Sequence, residues 1–199
     1  LLSRGLGDVY KRQLFIKESV EESIVDYGNT ILYSSSRNEY VITRLERLMK
    51  RTIWALTKQL EKGDFEPVGF EVAYDSGAIS LENQHAMRVY GKIDRVDICE
   101  TEDDVYVKVV DYKTGQKAFS LSELYHGLQM QLIVYMNAAM EREHQKHPEK
   151  KITPAGFLFY SVEDPVIKKQ PGEEERETEL LKKLKPDGIV NRDNEVIRH

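Results

Sequence analysis

The sequence predicts an α/β (α+β) domain with a central mixed β-sheet flanked by helices. Three observations carry this prediction. A long helical apolar repeat follows Ser36, three strand-like segments lie between residues 68 and 112, and a second helical repeat after Ser120 leads into the strand-like run AGFLFYSV (155–162). Helix, three strands, helix, strand is an order that buries one apolar face of a sheet under helices.

Each element has a local reason. The first thirteen residues, LLSRGLGDVYKRQ, resemble translated sequencing-adaptor read-through and are expected to be non-native or disordered, so they are set aside. Residues 14–199 are expected to form one partial domain, a fragment truncated at both ends. Residues 14–33 are loosely helical. Ser36 with Glu39 three residues on reads as a capping box. Behind it Val41, Leu45, Leu48, Met49, Thr52, Ile53, Leu56 and Leu60 recur at steps of three and four, one helical stripe ending near Gly63. Arg44, Glu46, Arg47, Lys50 and Arg51 occupy the other face and read as solvated charge. VGFEVAY (68–74) leads into a polar loop. MRVYGKIDRVDI (87–98) then pairs with VYVKVVDY (105–112) across the acidic turn CETEDD. Ser120, boxed by Glu123, starts a second helix running through Gln145, its apolar face Leu121, Leu124, Leu128, Leu132, Tyr135, Met136 and Ala139. The charge-dense tail after residue 168 reads as loop and short helix.

Bulk properties exclude several classes. The chain has 199 residues, 40% of them hydrophobic and 32% charged. That is ordinary for a folded domain with a sizeable core. No apolar run is long enough to cross a bilayer, so no membrane partner is expected. The single cysteine, Cys99, cannot form an intrachain disulfide, which fits a reducing, cytoplasmic setting. A net charge of −5 argues against a free-standing tight DNA binder, although a nuclease site itself concentrates carboxylates.

The chemistry lies in VVDYKTG (109–115), an apolar strand that ends in two charges and a glycine turn. Residues two apart on a strand share a face, so Asp111 and Lys113 point together and Tyr112 points away. Asp94, in GKIDRVD on the neighbouring strand, can approach Asp111 if the two strands pair. Two close carboxylates repel unless a cation lies between them, and hard oxygen donors select Mg²⁺ or Mn²⁺. A lysine beside them can position water or stabilise developing charge on a phosphate. Gln131 and Tyr135 follow on a helix, four residues apart and so on one face. These residue types suit metal-assisted phosphodiester hydrolysis; the plain alternative is a surface ion pair between Asp111 and Lys113.

GKIDRVD, VKVVDYKTG and GLQMQLIVYMNAA resemble, in order, the motifs of RecB-type PD-(D/E)xK nucleases. The flanking stretches, from ILYSSSRNEY to DGIVNRDNEVIRH, resemble the nuclease region of the AddB (RexB) family of bacterial ATP-dependent helicase–nucleases. The resemblance implies a restriction-endonuclease-like core. It implies Asp94, Asp111 and the Tyr112 backbone carbonyl as metal ligands, Lys113 as the catalytic lysine, and Gln131 and Tyr135 as residues that orient the site or touch DNA. It also implies a broken DNA duplex with single-stranded ends as substrate and an AddA-like helicase–nuclease partner, in double-strand break repair and recombination. An iron–sulfur cluster is expected only in the full-length protein; Cys99 matches none of that family's cluster cysteines, and no histidine here fills the family's upstream ligand position.

Other candidates have plainer readings. Glu71, on the first strand, is a candidate for supporting the metal site or for a structural role. Arg95 with Asp97 suggests a structural ion pair, with phosphate contact by Arg95 the lesser alternative. His126 is expected at the surface or in packing, His85, His144 and His147 as solvated, and Trp54 as a partly buried flank. Two rival functions stay open: a nuclease-like module that binds DNA or docks a partner without cutting, and a RecB-like exonuclease of the CRISPR-adaptation type.

Overall fold

A computed structural model describes residues 15–23, 25, 35–80, 86–115, 118–167 and 172–199. The adaptor-like segment 1–13 and His85 lie outside the described residues. The chain divides into two compact units, Leu1–Lys58 with Glu163–Lys183, and Gln59–Val162 with Leu184–His199.

In the first unit, helix α1 spans Ser36–Leu60. Its cap is one residue earlier than the sequence suggests: the Asn38 N–H donates to the Ser35 hydroxyl at 3.3 Å, and both Asn38 and Glu39 N–H groups reach the Ser35 carbonyl. The buried stripe is also shifted. Ile42, Met49 and Ile53 pack on buried Ile16 and Val20, while Val41 and Leu45 are exposed. Trp54 is half-buried, as expected of a flank. Arg47 and Arg51 both grip Asp164, so part of the basic face is neutralised within the unit.

The second unit is a five-stranded mixed sheet in the order β1 (Glu66–Ser80), β2 (Ala86–Glu100), β3 (Asp104–Lys113), β4 (Lys151–Ser161) and β5 (Asp187–Val190). β1, β2 and β3 are antiparallel neighbours, and β3 runs parallel to β4. The expected hairpin forms, and its acidic turn is closed by Thr101, which bonds Asp104 through both backbone and side chain. A parallel pair needs a crossover, and here it contains α2 (Leu121–Tyr125) and α3 (Gln131–Lys146).

This is a correction to the single helix expected after Ser120. Ser120 does cap α2, its hydroxyl accepting the Glu123 N–H at 3.3 Å. The helix then stops, and Gly127 turns left-handed at φ 75°. The apolar face changes accordingly: Leu132, Tyr135, Met136 and Ala139 are buried against the sheet, whereas Leu121 and Leu128 are exposed. The core on that side joins Tyr135, Met136 and Ala139 to Ile93, Val96, Val105, Val107 and Val109. A short helix, α4 (Glu173–Lys183), lies in the tail of the first unit, and α5 (Asn194–Arg198) ends the second.

Candidate active site

Strand register determines which acids meet. β2 pairs with β3 as Arg95 with Val110 and Val96 with Val109, so one step further along sets Asp94 across from Asp111. β1 pairs with β2 as Phe70 with Arg95 and Val72 with Ile93, which sets Glu71 across from Asp94. Three carboxylates thus sit in one row over three strands. At this point Asp94 takes over from the ladder, its Oδ2 accepting the Tyr112 N–H at 2.8 Å.

Asp111 is 2% exposed, and its Oδ2 lies 2.5 Å from Lys113 Nζ. That ammonium also donates to Gln131 Oε1 at 3.1 Å and lies over the Phe159 ring, 5.3 Å from its centroid. The Gln131 amide nitrogen in turn donates to the Tyr135 hydroxyl at 2.7 Å. The Tyr135 ring meets Tyr74 edge-on at 5.6 Å. Asp111, Lys113, Gln131 and Tyr135 therefore form one continuous polar chain, with its far end fixed by an aromatic contact. Burial pushes the Tyr135 phenol up; the Gln131 bond opposes this, and the negative charges of Asp111, Asp94 and Glu71 add to it. That three carboxylates act on one hydroxyl marks the point on which they converge.

Glu71 has φ 48°, a left-handed conformation that costs a non-glycine residue roughly 1–2 kcal/mol. Observed strain of this kind, beside two carboxylates, supports a place for Glu71 in the site. Its own carboxylate pairs with Lys92 at 3.5 Å, both side chains being largely exposed.

The other face of the sheet supports this one. Arg95 is 4% exposed and donates twice to Asp97, at 2.5 and 2.7 Å, and to the Tyr112 hydroxyl at 3.3 Å. Burial opposes the guanidinium charge, but Asp97 outweighs it and raises the pKa. This corrects the phosphate-contact reading of Arg95: strand alternation turns it away from Asp94, into a buried pair. The Tyr112 ring meets Tyr160 edge-on at 5.8 Å. The peptide between the two site residues Asp111 and Lys113 is thus held from behind.

Sequence reasoning missed three supports. Buried Gln129 accepts the Ser120 N–H and donates to Glu123 and to the Ala118 carbonyl. Asp187, on β5, accepts the Phe119 N–H at 2.7 Å. Tyr74 backs Tyr135. A Gln two residues before the Gln131–Tyr135 pair was the only available signal. His126 is exposed against Tyr125, and Cys99 is buried with Tyr106, Ala155 and Val196, its thiol pushed up by burial.

The donor set suits a small hard cation, because Asp94 and Asp111 offer carboxylate oxygens from adjacent strands. Among the described residues, no three His, Cys, Asp or Glu side chains are gathered into a closed metal cage. The Lys113 ammonium and the Tyr112 N–H take up the two carboxylates. A site of two carboxylates with further positions left for a backbone carbonyl and water fits Mg²⁺ better than a closed cage would.

The profile of the PD-(D/E)XK nuclease superfamily matches residues 9–194. Curated relatives include the B subunit of the ATP-dependent helicase/deoxyribonuclease of Alkaliphilus oremlandii, 37% identical over 92% of this chain and 17% of the relative. Its counterpart in Alkaliphilus metalliredigens is 39% identical over 94% of this chain and 17% of the relative. That of Lachnoclostridium phytofermentans is 43% identical over 89% of this chain and 15% of the relative. The chain thus spans only 15–17% of the length of these relatives. Motifs in order, a mixed sheet carrying Asp94, Asp111 and Lys113 at one end of its adjacent strands, and a profile match over nearly the whole chain agree: this chain belongs to the PD-(D/E)XK nuclease superfamily.

Proposed function

We propose that this chain is the divalent-metal-dependent deoxyribonuclease domain of an AddAB-type helicase–nuclease that processes broken DNA duplexes. The observation that carries the reading is the pairing of Asp94 and Asp111 across adjacent strands, with the Lys113 ammonium 2.5 Å from Asp111. Asp94, Asp111 and the Tyr112 carbonyl would hold Mg²⁺ or Mn²⁺. Bound there, the ion supplies Lewis acidity toward a phosphodiester oxygen and lowers the pKa of water.

The chain's own residues do the rest. Lys113, steered by Gln131, presents an ammonium to the non-bridging phosphate oxygens and stabilises the charge that grows there. Tyr135, held by Tyr74, fixes Gln131. Arg95 and Tyr160 hold Tyr112, so the carboxylate and the amine on either side of it keep their spacing. The relatives are named as one component of a helicase/deoxyribonuclease, which supports DNA as substrate and a second, AddA-like polypeptide as partner, in the cytoplasm.

The test is metal-dependent cleavage of single-stranded DNA by the full-length polypeptide with its partner. Asp111→Ala and Lys113→Ala are each expected to lower the rate by at least about a hundredfold, as loss of one preorganised stabilising group does, with the fold retained by circular dichroism. Full activity in either variant rejects the reading.

A further inference from the structure

The excursion from Lys113 to Gln131 leaves and re-enters the fold at the candidate site, because those two side chains are hydrogen-bonded to each other at 3.1 Å. Its base is pinned. Gln129 ties Ala118, Ser120 and Glu123 together, Asp187 accepts the Phe119 N–H, and the Phe119 ring packs against Phe157 and Phe159. Phe159 is also the ring beneath Lys113 Nζ. On this anchored base stand four apolar side chains that the fold does not bury: Leu121 (67% exposed), Tyr125 (87%), Leu128 (74%) and Met130 (44%).

Such a cluster is costly to leave in water without a use. Its position names the occupant. Met130 directly precedes Gln131, so whatever presents a phosphate to Lys113 also passes this ledge. A nucleic-acid strand with its backbone at Lys113 carries its bases a few ångströms to the side. Exposed rings and aliphatic groups hold unstacked bases regardless of sequence. The acidic chain offers little nonspecific phosphate attraction, which leaves stacking as the available source of grip.

We propose that Leu121, Tyr125, Leu128 and Met130 form a base-binding ledge, with Tyr125 stacking on a nucleobase of the strand engaged at Lys113. This rests on the nuclease reading above for the identity of the strand. A paired, stacked duplex cannot offer its base faces, so the ledge acts only on separated strands.

The test uses the full-length polypeptide with its helicase partner, in EDTA, and a fluorescent single-stranded oligonucleotide. A second oligonucleotide has the same backbone but consecutive abasic positions. Tyr125→Ala is expected to weaken binding of the normal strand roughly tenfold and to leave the abasic strand unchanged, with Tyr125→Phe restoring wild-type affinity. Leu128→Ser, at an exposed position, serves as the second variant should Tyr125→Ala express poorly, with the same contrast expected. Equal losses on both strands, or no loss on either, overturn the ledge. Release of the helicase partner on size exclusion also overturns it and makes the surface a contact between the two polypeptides. Because binding is read without metal or cleavage, a wild-type protein that binds with base preference but never cuts rejects the nuclease reading alone.

Discussion

Asp97 is fully buried between two cations, Arg95 and Lys108, the latter at 3.2 Å. Burial lowers the Lys108 pKa against the pull of Asp97, so the pair depends chiefly on the bidentate guanidinium. Arg95→Leu is therefore expected to cost about 3 kcal/mol, measured by urea unfolding, because it strands a buried carboxylate. Arg95→Lys keeps the charge but loses the fork, and should fall between Leu and wild type. Tyr160 presents the opposite case. Its hydroxyl is buried with no hydrogen-bond partner among the described residues, and its pKa is pushed up to about 12 by burial and then by Tyr112. The unfolded phenol ionises near pH 10, so this contribution to stability is complete below about pH 10 and is lost as the pH rises towards 12. Tyr160→Phe should stabilise the fold by about 1 kcal/mol at neutral pH, since an unsatisfied buried hydroxyl is removed. It should also flatten the alkaline limb of a stability-against-pH curve. Neither the Tyr160 burial nor the Arg95 pairing partner can be read from one strand alone. Alternation puts Arg95 and Asp97 on one face, but whether that face is wet or buried is decided by β1 and β3.

Elements were legible where local chemistry sets them. The β2–β3 hairpin followed from alternation and an acidic turn, and the Ser120 cap from its Glu123 partner. The break at Gly127 was not legible, because the apolar spacing of Leu121, Leu124 and Leu128 runs straight through it. What ends α2 is a left-handed glycine together with Gln129 folding back on Ser120. β5 is only four residues long, too short to stand out in a charged tail, yet it supplies Asp187 to the base of the ledge. Its pairing depends on Gly188, φ 158°, where a Cβ would lie 2.2 Å from the Phe157 carbonyl oxygen. Gly188→Ala is expected to unpair β5 from β4 at a cost of several kcal/mol, on the order of 3. Faster amide exchange at Leu158 and Gly188, with β3 unaffected, would verify it. Unchanged protection would show that the strand absorbs the methyl.

At the scale of the whole molecule, the candidate metal site draws one carboxylate each from β2 and β3, so occupancy and folding are linked. A divalent ion that binds only the folded state adds stability as RT ln(1 + [L]/Kd), about 2.7 kcal/mol at a hundredfold excess over Kd. Mg²⁺ or Mn²⁺ is expected to raise the unfolding midpoint of the wild type and not that of an Asp94→Asn, Asp111→Asn double variant. Equal shifts in both would place the ion elsewhere. The sheet unit and the helical unit built on α1 each carry their own core, and among the described residues no helix is long and apolar enough to cross a membrane.

By itself the sequence determined which residues can carry the chemistry: the acid–lysine pair on one strand face, the acid on the strand before it, and the Gln131–Tyr135 pair on one helical face. Those follow from fixed periods of two and of three to four residues, which no tertiary contact can alter. Only the tertiary structure decided that Glu71 comes opposite Asp94, that Arg95 faces inward, that Gln131 reaches Lys113, and that four apolar groups around Gly127 stay in water. Each of these depends on strand register or on the end of a helix, and both are settled by distant partners competing for the same backbone and surface.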